Sequence, residues 1–166
     1  MANLTLAVSS PMPIQQDVQL MLTAASAGAS EAVLRRVEAA GFDDLRPSHT
    51  YVFQHLVTGP IAVNALAGRL GMTAQGASKL VIELEQLGYL RRTAAAADRR
   101  THLIALTPRG EALVEAGRAA RLALAAEVQR LLGPDGARQL LRLLNRVAMH
   151  TGGLEMLTSR RLRPPA

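Results

Sequence analysis

The 166-residue chain has no cysteine and few aromatic residues: two Tyr, two Phe and no Trp. The absence of cysteine excludes disulfides, cysteine-ligated zinc and oxidant sensing through a thiol. With so few aromatic rings, a hydrophobic core must be built from Leu, Val and Ala. Hydrophobic residues make up 49% of the chain, which is enough for one domain with a core. Because alanine-rich helices pack closely, this composition favours a mostly helical fold.

Sequence features typical of membrane insertion and export are missing. The N-terminus lacks the basic segment of a signal peptide. The longest uncharged run, residues 47–68, contains His, Gln, Asn and a Gly-Pro pair, so it is too polar to span a membrane. We therefore expect a soluble, cytoplasmic protein without a membrane partner.

Catalytic and metal-binding motifs are also missing. Ser48 and His49 are adjacent, but neighbours in sequence do not make a catalytic triad. The sequence has no glycine-rich phosphate loop and no His-Glu-x-x-His motif. The four histidines, at positions 49, 55, 102 and 150, lack close ligand spacing. We expect no enzyme activity, no cofactor and no metal site.

The net charge is +6, and it is distributed unevenly. Residues 1–45 are net negative, whereas residues 46–107 and 108–166 are both net positive. A basic balance favours an anionic partner such as a nucleic acid, although arginine-rich surface helices can simply keep a protein soluble.

The segment from residue 61 to residue 107 organises the chain. A helical pattern over residues 63–70 is followed by Gly71, by the potential helix cap Thr73, and by a second helix that runs to Leu87. Gly88 ends this helix, and residues 89–93 and 101–107 then have the pattern of two strands. Two helices joined by a tight turn and followed by a hairpin predict a winged helix-turn-helix.

The second helix and the hairpin supply candidate contacts to double-stranded DNA. An apolar stripe on the helix should be buried, which leaves the opposite face for a groove. Gln can bind an adenine edge, Lys can bind guanine or phosphate, and an arginine at a narrow tip suits a minor groove. The candidate DNA-binding residues are Thr73, Gln75, Gly76, Ser78, Lys79, Asp98, Arg99 and Arg100.

These residues also resemble the MarR family of bacterial transcription regulators. The matching segments are LAGRLGMTAQGASKLVIELEQLGYLRR, DRRTHLIALTPRGEAL and, upstream, LRPSHTYVFQHL. The resemblance implies that Asp98 braces the wing and that Arg100 reaches the minor groove. Three positions depart from the family pattern. Ala62 replaces a hydroxyl cap, Gly76 lies inside the second helix, and Glu83 stands where a basic or neutral residue is common.

The segments flanking the winged helix-turn-helix (46–107) predict a helical dimerisation layer. Residues 14–45 and 108–150 have helical patterns, the latter broken by Gly133-Pro134, and the last helix is broadly apolar. A symmetric homodimer would cover this apolar surface, although the last helix could instead cap its own core. We expect a flexible arm over residues 1–13 and a loose basic tail over residues 151–166.

A small aromatic ligand is a further candidate partner, because many MarR regulators bind aromatic acids or phenols. The predicted second helix, over residues 48–57, and the residue just before its Pro47 offer basic and aromatic side chains that could hold a carboxylate and stack on a ring. Packing in the core is the alternative role for several of them. These residues are Arg46, His49, Tyr51, Phe53 and His55.

The sequence thus predicts a dimeric, DNA-binding transcription regulator, a repressor released by a small ligand. The alternative is a ligand-binding or protein-interaction module that keeps the fold without binding specific DNA.

Overall fold

The computed structural model describes residues 13–94 and 102–159, and it is mostly helical, as predicted. A 3-10 turn (Ile14–Gln16) precedes the helices α1 (Val18–Ala39), α2 (Pro47–Leu56), α3 (Val63–Leu70), α4 (Ala74–Gln86), α5 (Pro108–His150) and α6 (Gly153–Ser159). The strands β1 (Ile61–Ala62), β2 (Leu90–Ala94) and β3 (His102–Leu106) form one antiparallel sheet in the order β1-β3-β2.

The α3–turn–α4 unit forms where the sequence predicts it. Gly71 adopts φ 65°, a left-handed conformation that ends α3 and turns the chain. The Thr73 hydroxyl then accepts the backbone N–H of Gly76 at 3.1 Å and caps α4. Gly88, at φ 78°, follows the end of α4 and leads directly into β2. Ala62 precedes α3 without a side-chain cap, in line with the departure noted in the sequence.

The sheet joins the hairpin to the helix pair. β2 and β3 pair from Leu90↔Leu106 to Ala94↔His102, and β1 adds the pair Ile61↔Ile104 on the other side of β3. Ile104 in the central strand is therefore fully buried. The sheet thus has a short third strand at Ile61, beside the hairpin.

The core lies within the winged lobe. Its fully buried side chains come from α2, α3, α4 and the sheet, and Val37 of α1 and Leu113 and Ala120 of α5 extend it into the terminal helices. The apolar stripe predicted for α4 is confirmed: Ala77, Val81 and Leu84 are buried, and Leu80 and Leu87 are partly buried. This burial fixes which face of α4 remains outside.

The terminal helices pack on each other. Asp17 caps α1 by accepting the backbone N–H of Leu20 at 3.0 Å, so the regular helix starts at Val18 rather than at Ile14. Along its length α1 packs against α5, and an ion pair joins Arg36 to Glu127. α5 bends at Gly133, whose φ of 71° and ψ of 165° are not helical, at the predicted Gly133-Pro134 break.

The tail does not begin as a loose segment at residue 151. Gly152 turns the chain at φ 74°, and α6 then packs against the end of α5. The apolar residues Leu154, Met156 and Leu157 give this segment a reason to be helical, which the expectation of a loose tail overlooked. Residues 160–166, and residues 1–12 of the arm predicted over residues 1–13, lie outside the described residues. None of the described helices is both long enough and apolar enough to cross a membrane.

Candidate nucleic-acid interface

One face of α4 is open to solvent. Gln75 and Lys79 are exposed and lie one turn apart, while Gly76 and Ser78 beside them are half-buried. α3 and β2 cover the opposite face. The first turns of α4 therefore present an amide and an ammonium group outward, as the sequence predicts, and both are groups that bind base edges and phosphates.

The same exposed stripe continues with a residue that the sequence analysis did not select. Ile82 is 46% exposed, one turn beyond Lys79. Elsewhere in the described part of the winged lobe, Tyr51 (36%) and Val57 (58%) are the other exposed large apolar side chains. An exposed isoleucine next to polar groups suits contact with a thymine methyl in a major groove. Helical spacing from Gln75 and Lys79 could have identified it.

A cleft of about 900 Å³ borders this face of α4. It opens between the start of α2, the α3–α4 turn and one edge of α4. Its lining residues are Arg46, Ser48, Gly71, Met72, Thr73, Gly76, Lys79, Leu80 and Glu83. Candidate DNA-binding residues and one candidate ligand-binding residue, Arg46, thus line the same cleft.

The wing contributes exposed arginines at its base. Arg91 and Arg92 lie on β2, and Arg92 Nε donates to both carboxylate oxygens of Glu85 at 3.2 Å. This pair ties the wing to the end of α4. The predicted wing-tip residues Asp98, Arg99 and Arg100 lie outside the described residues.

Glu83, which stands where a basic or neutral residue is common, is paired. Its carboxylate forms an ion pair with Arg46, and its second oxygen lies 3.4 Å from Nε2 of His49. His49 is fully buried and its Nδ1 accepts the backbone N–H of Arg46 at 3.2 Å. Burial, together with the charge of Arg46, lowers the pKa of His49, against a smaller opposing effect of Asp44. The imidazole is therefore neutral near pH 7.

A second polar cluster joins the wing to the terminal helices. The Tyr89 hydroxyl donates to Asp44, and Arg109 in the first turn of α5 donates to both of these groups. The Arg109 guanidinium also lies 4.6 Å from the centre of the Tyr89 ring. Burial and the hydrogen bond to Asp44 raise the pKa of Tyr89. Nothing in the sequence pattern links these three residues, which are separated by 45 and 20 positions.

The structure does not gather the five candidate ligand-binding residues around one cavity. Arg46 lines the cleft, His49 is buried behind it, and Phe53 packs edge-on against Tyr89 with ring centres 5.7 Å apart. Tyr51 is exposed, whereas His55, four residues later on α2, is 5% exposed. α2 packs against both α3 and β3, so more than one of its stripes is covered.

The described residues include no group of three or more His, Asp or Glu side chains that could hold a metal ion. The site consists instead of an exposed polar helix face, a basic hairpin base and an adjoining cleft. A helix presented in this way by a helix-turn-helix with a wing defines the class of winged-helix DNA-binding proteins.

Comparison with known proteins finds a family model that is similar to the winged lobe. Residues 43–101 match the model described as the MarR family. Solved structures share the fold over most of the chain. The YusO protein from Bacillus subtilis is 25% identical, with 82% of this chain and 95% of that one covered and a TM-score of 0.66. RV1404 from Mycobacterium tuberculosis is 22% identical, with 84% of this chain and 97% of that one covered and a TM-score of 0.71.

A further neighbour was solved on DNA. The transcriptional repressor CouR, bound to a 23-mer DNA duplex, is 24% identical, with 84% of this chain and 99% of that one covered and a TM-score of 0.60. No curated protein gives a significant match. Over residues 43–101 the chain is thus similar to the MarR family of winged helix-turn-helix transcription regulators, as its sequence suggested. This is not an enzyme family.

Proposed function

We propose that this protein is a sequence-specific transcription regulator, a repressor, that binds a pseudo-palindromic operator as a homodimer in the cytoplasm. The observation that carries the proposal is the outward face of α4. Its first turns hold Gln75 and Lys79 in solvent while its apolar stripe is fixed in the core. In such a lobe α4 would enter a major groove and the wing would lie against the neighbouring minor groove. The repressor CouR provides a precedent for this fold on duplex DNA.

The homodimer follows from the terminal helices. Large exposed apolar side chains concentrate in α1, the end of α5 and α6, where Leu131 is 81% and Leu141 is 68% exposed. In a single chain this much apolar surface would face water, which costs about 25 cal/mol per Å². A two-fold symmetric partner would cover the same surface on both chains. Two α4 helices would then enter grooves about one helical turn apart, ~10 bp.

We also propose that a small ligand controls DNA binding. The cleft beside α4 has space for a small molecule and is bordered by the cationic groups of Arg46 and Lys79. A small aromatic acid bound there would lie against the groups that face DNA. It would release the operator only to the extent that it prefers the DNA-free state. Titration of salicylate-like acids, followed by both thermal stability and DNA affinity, tests this element.

The main test begins with selection of duplexes from a random pool by the full-length protein. Light scattering gives the mass of the free and DNA-bound protein, and fluorescence polarisation at several salt concentrations gives its affinity. We expect a dimer, two chains per duplex, and half-sites about one turn apart (~10 bp). Lys79→Ala should weaken binding, whereas Arg118→Ala, on an exposed position of α5, should not.

Two results would count against the proposal. A monomer at micromolar concentration that stays monomeric on DNA would overturn the homodimer. Equal affinity for selected and scrambled duplexes would instead favour the alternative, a ligand-binding or protein-interaction module with this fold. Repression, as opposed to activation, is tested by transcription from a promoter that carries the selected site.

A further inference from the structure

A carboxylate lies at the edge of the surface proposed to face DNA. Glu83 follows Lys79 by one turn of α4 and lines the same cleft as Thr73, Gly76 and Lys79. Its side chain is 32% exposed. A free negative charge at this position would repel the phosphates of an approaching duplex.

The carboxylate is held from two sides. Arg46, one residue before α2, forms an ion pair with Oε1 on the solvent side. His49 Nε2 lies 3.4 Å from Oε2 on the buried side. The two partners belong to α2 and its N-terminus, so the contacts also link α2 to α4.

The hydrogen bond at Nδ1 determines which nitrogen of the neutral His49 ring carries the proton. Because Nδ1 accepts the backbone N–H of Arg46 at 3.2 Å, the proton of the neutral ring is on Nε2. That N–H is buried and makes no regular hydrogen bond with the described residues, and its nitrogen lies 3.4 Å from Glu83 Oε2. A carboxylate is the group that best compensates a buried donor of this kind.

We propose that Arg46 is a positioning residue of the DNA interface. Its guanidinium neutralises Glu83 and, with the neutral His49 ring on the buried side, holds the carboxylate back against α2, away from the phosphates. Arg46 then acts on DNA through Glu83 and not as a phosphate ligand. This inference rests on the proposed DNA-binding function, and it assigns Arg46 a role different from that of a ligand-binding residue.

A double-mutant cycle on the full-length protein separates the two roles of Arg46. Affinity for the selected duplex is measured for wild type, Arg46→Ala, Glu83→Gln and the double variant over a range of salt. We expect Arg46→Ala to weaken binding about fivefold, the effect of roughly 1 kcal/mol of uncompensated charge. In the Glu83→Gln background the same change should cost less than about twofold.

The opposite pattern would overturn the proposal. The proposal is wrong if Arg46→Ala weakens binding equally in the wild-type and the Glu83→Gln backgrounds. If it also lowers the slope of log affinity against log salt concentration by about 0.9 in both, Arg46 contacts phosphate directly. A matched control pair is Arg35 and Glu31, an exposed ion pair of 3.0 Å on α1. Arg35→Ala and Glu31→Gln remove the same charges far from α4 and should act additively.

The contact of Glu83 with Arg46 and His49 can also be tested without DNA, so that this test does not depend on the proposed function. In nitrogen-15 NMR of the histidine rings, His49 should show the Nε2-protonated neutral form. Glu83→Gln and Arg46→Ala should both shift its signals, and Glu31→Gln should not. Unchanged His49 signals in both cleft variants would show that Glu83 is not held there. If the wild-type protein binds no duplex, the DNA-binding function is wrong. The shifts of the His49 signals would still show whether Arg46 and His49 hold Glu83.

Discussion

The hydroxyl of Tyr89 donates a 2.5 Å hydrogen bond to a carboxylate oxygen of Asp44. Tyr89 is fully buried between the wing and α5, and Asp44 lies in the loop between α1 and α2. Arg109 of α5 completes the cluster by donating to the other oxygen of Asp44 at 2.8 Å. One tyrosine thus joins the winged lobe to the α1–α2 loop and to α5.

Tyr89→Phe should lower the free energy of unfolding by about 1 kcal/mol. The ring and its packing remain, and Asp44 keeps its ion pair with Arg109, so the loss is that of one hydrogen bond. Denaturant unfolding measures the change. The control is Tyr51→Phe, which removes the same hydroxyl from an exposed ring on α2 and should change stability by much less. Equal effects of the two variants would mean that the Asp44 contact does not stabilise the fold.

Gly110→Ala should destabilise the protein more than Tyr89→Phe does. A Cβ on Gly110 would overlap the backbone carbonyl oxygen of Tyr89 and would contact Leu106 at 3.2 Å. Because a backbone atom cannot move aside as a side chain can, α5 would shift away from the wing, at a cost of about 1–3 kcal/mol. Thr107 would be disturbed as well, since its hydroxyl accepts the N–H of Gly110 and donates to Gly88.

The matched control for Gly110→Ala is Gly117→Ala in the same helix. A Cβ at Gly117 would meet only the end of the flexible Arg121 side chain, at 3.5 Å. Alanine should therefore stabilise the helix there by up to about 1 kcal/mol. Thermal unfolding of the two variants should move in opposite directions, and a stable Gly110→Ala protein would contradict the close approach of α5 to Tyr89.

Stability should fall as the pH is lowered below about 6.5, the ordinary pKa of histidine, because of His49. Burial lowers the pKa of His49 in the folded protein, so between the two pKa values the unfolded chain binds more protons. The contribution is fully present above the unfolded pKa and is lost as the pH falls through this window. Protonation of the neutral His49 ring places the added proton on Nδ1. This breaks the hydrogen bond that Nδ1 accepts from the backbone N–H of Arg46.

The measurement is the free energy of unfolding from pH 8 to pH 5 for wild type and His49→Gln. Charged groups that face His49 are Glu83 of α4, Arg46 and Asp44. The drop should be smaller in His49→Gln, which cannot be protonated, whereas His150→Gln at the exposed end of α5 should keep it. A drop of the same size in all three proteins would assign it to other groups.

The sequence predicted local features whose physical causes are local. Gly71, Thr73 and Gly88 specify turns and a cap through their own backbone preferences, and the spacing of Ala77, Val81 and Leu84 specifies a buried face. These elements were predicted to within about two residues. The exposed positions of Gln75 and Lys79 followed from the same helical spacing.

Contacts between distant segments could not be predicted in this way. Asp44, Tyr89 and Arg109 meet only because the fold brings together the α1–α2 loop, the residue before β2 and the first turn of α5. Glu83 was noticed as an unusual carboxylate, but its partners on α2 could not be identified from spacing. Burial of His55 likewise depends on α3 and β3 covering α2 from two directions.

The wing tip yields a prediction from the sequence and the family resemblance. Arg100→Ala should cost roughly 1–3 kcal/mol of DNA binding and reduce the salt slope by up to about 0.9 if the arginine neutralises one phosphate. Asp98→Ala should weaken binding too, because the wing would lose its brace. Polarisation titrations at several salt concentrations measure both effects. Unchanged affinity for both variants would show that the wing does not contact DNA.

Base preference should depend on Gln75 and Ile82 in chemically different ways. Both are exposed on the outward stripe of α4. Gln75→Ala should relax preference at one position per half-site, because an amide can pair with both Hoogsteen groups of adenine. A uniform loss of affinity across sequences would mean that Gln75 touches only the backbone of DNA.

Ile82 has no polar group, so its expected partner is the methyl group of a thymine. The methyl can be removed without changing base pairing, by placing deoxyuridine at single thymine positions of the selected duplex. At one position per half-site this change should weaken wild type severalfold, and Ile82→Ala should bind the thymine and uracil duplexes equally. Val57→Ala, at an exposed apolar position outside α4, should keep the wild-type discrimination. If wild type does not distinguish thymine from uracil anywhere in the operator, Ile82 does not read a methyl group and its exposure has another cause.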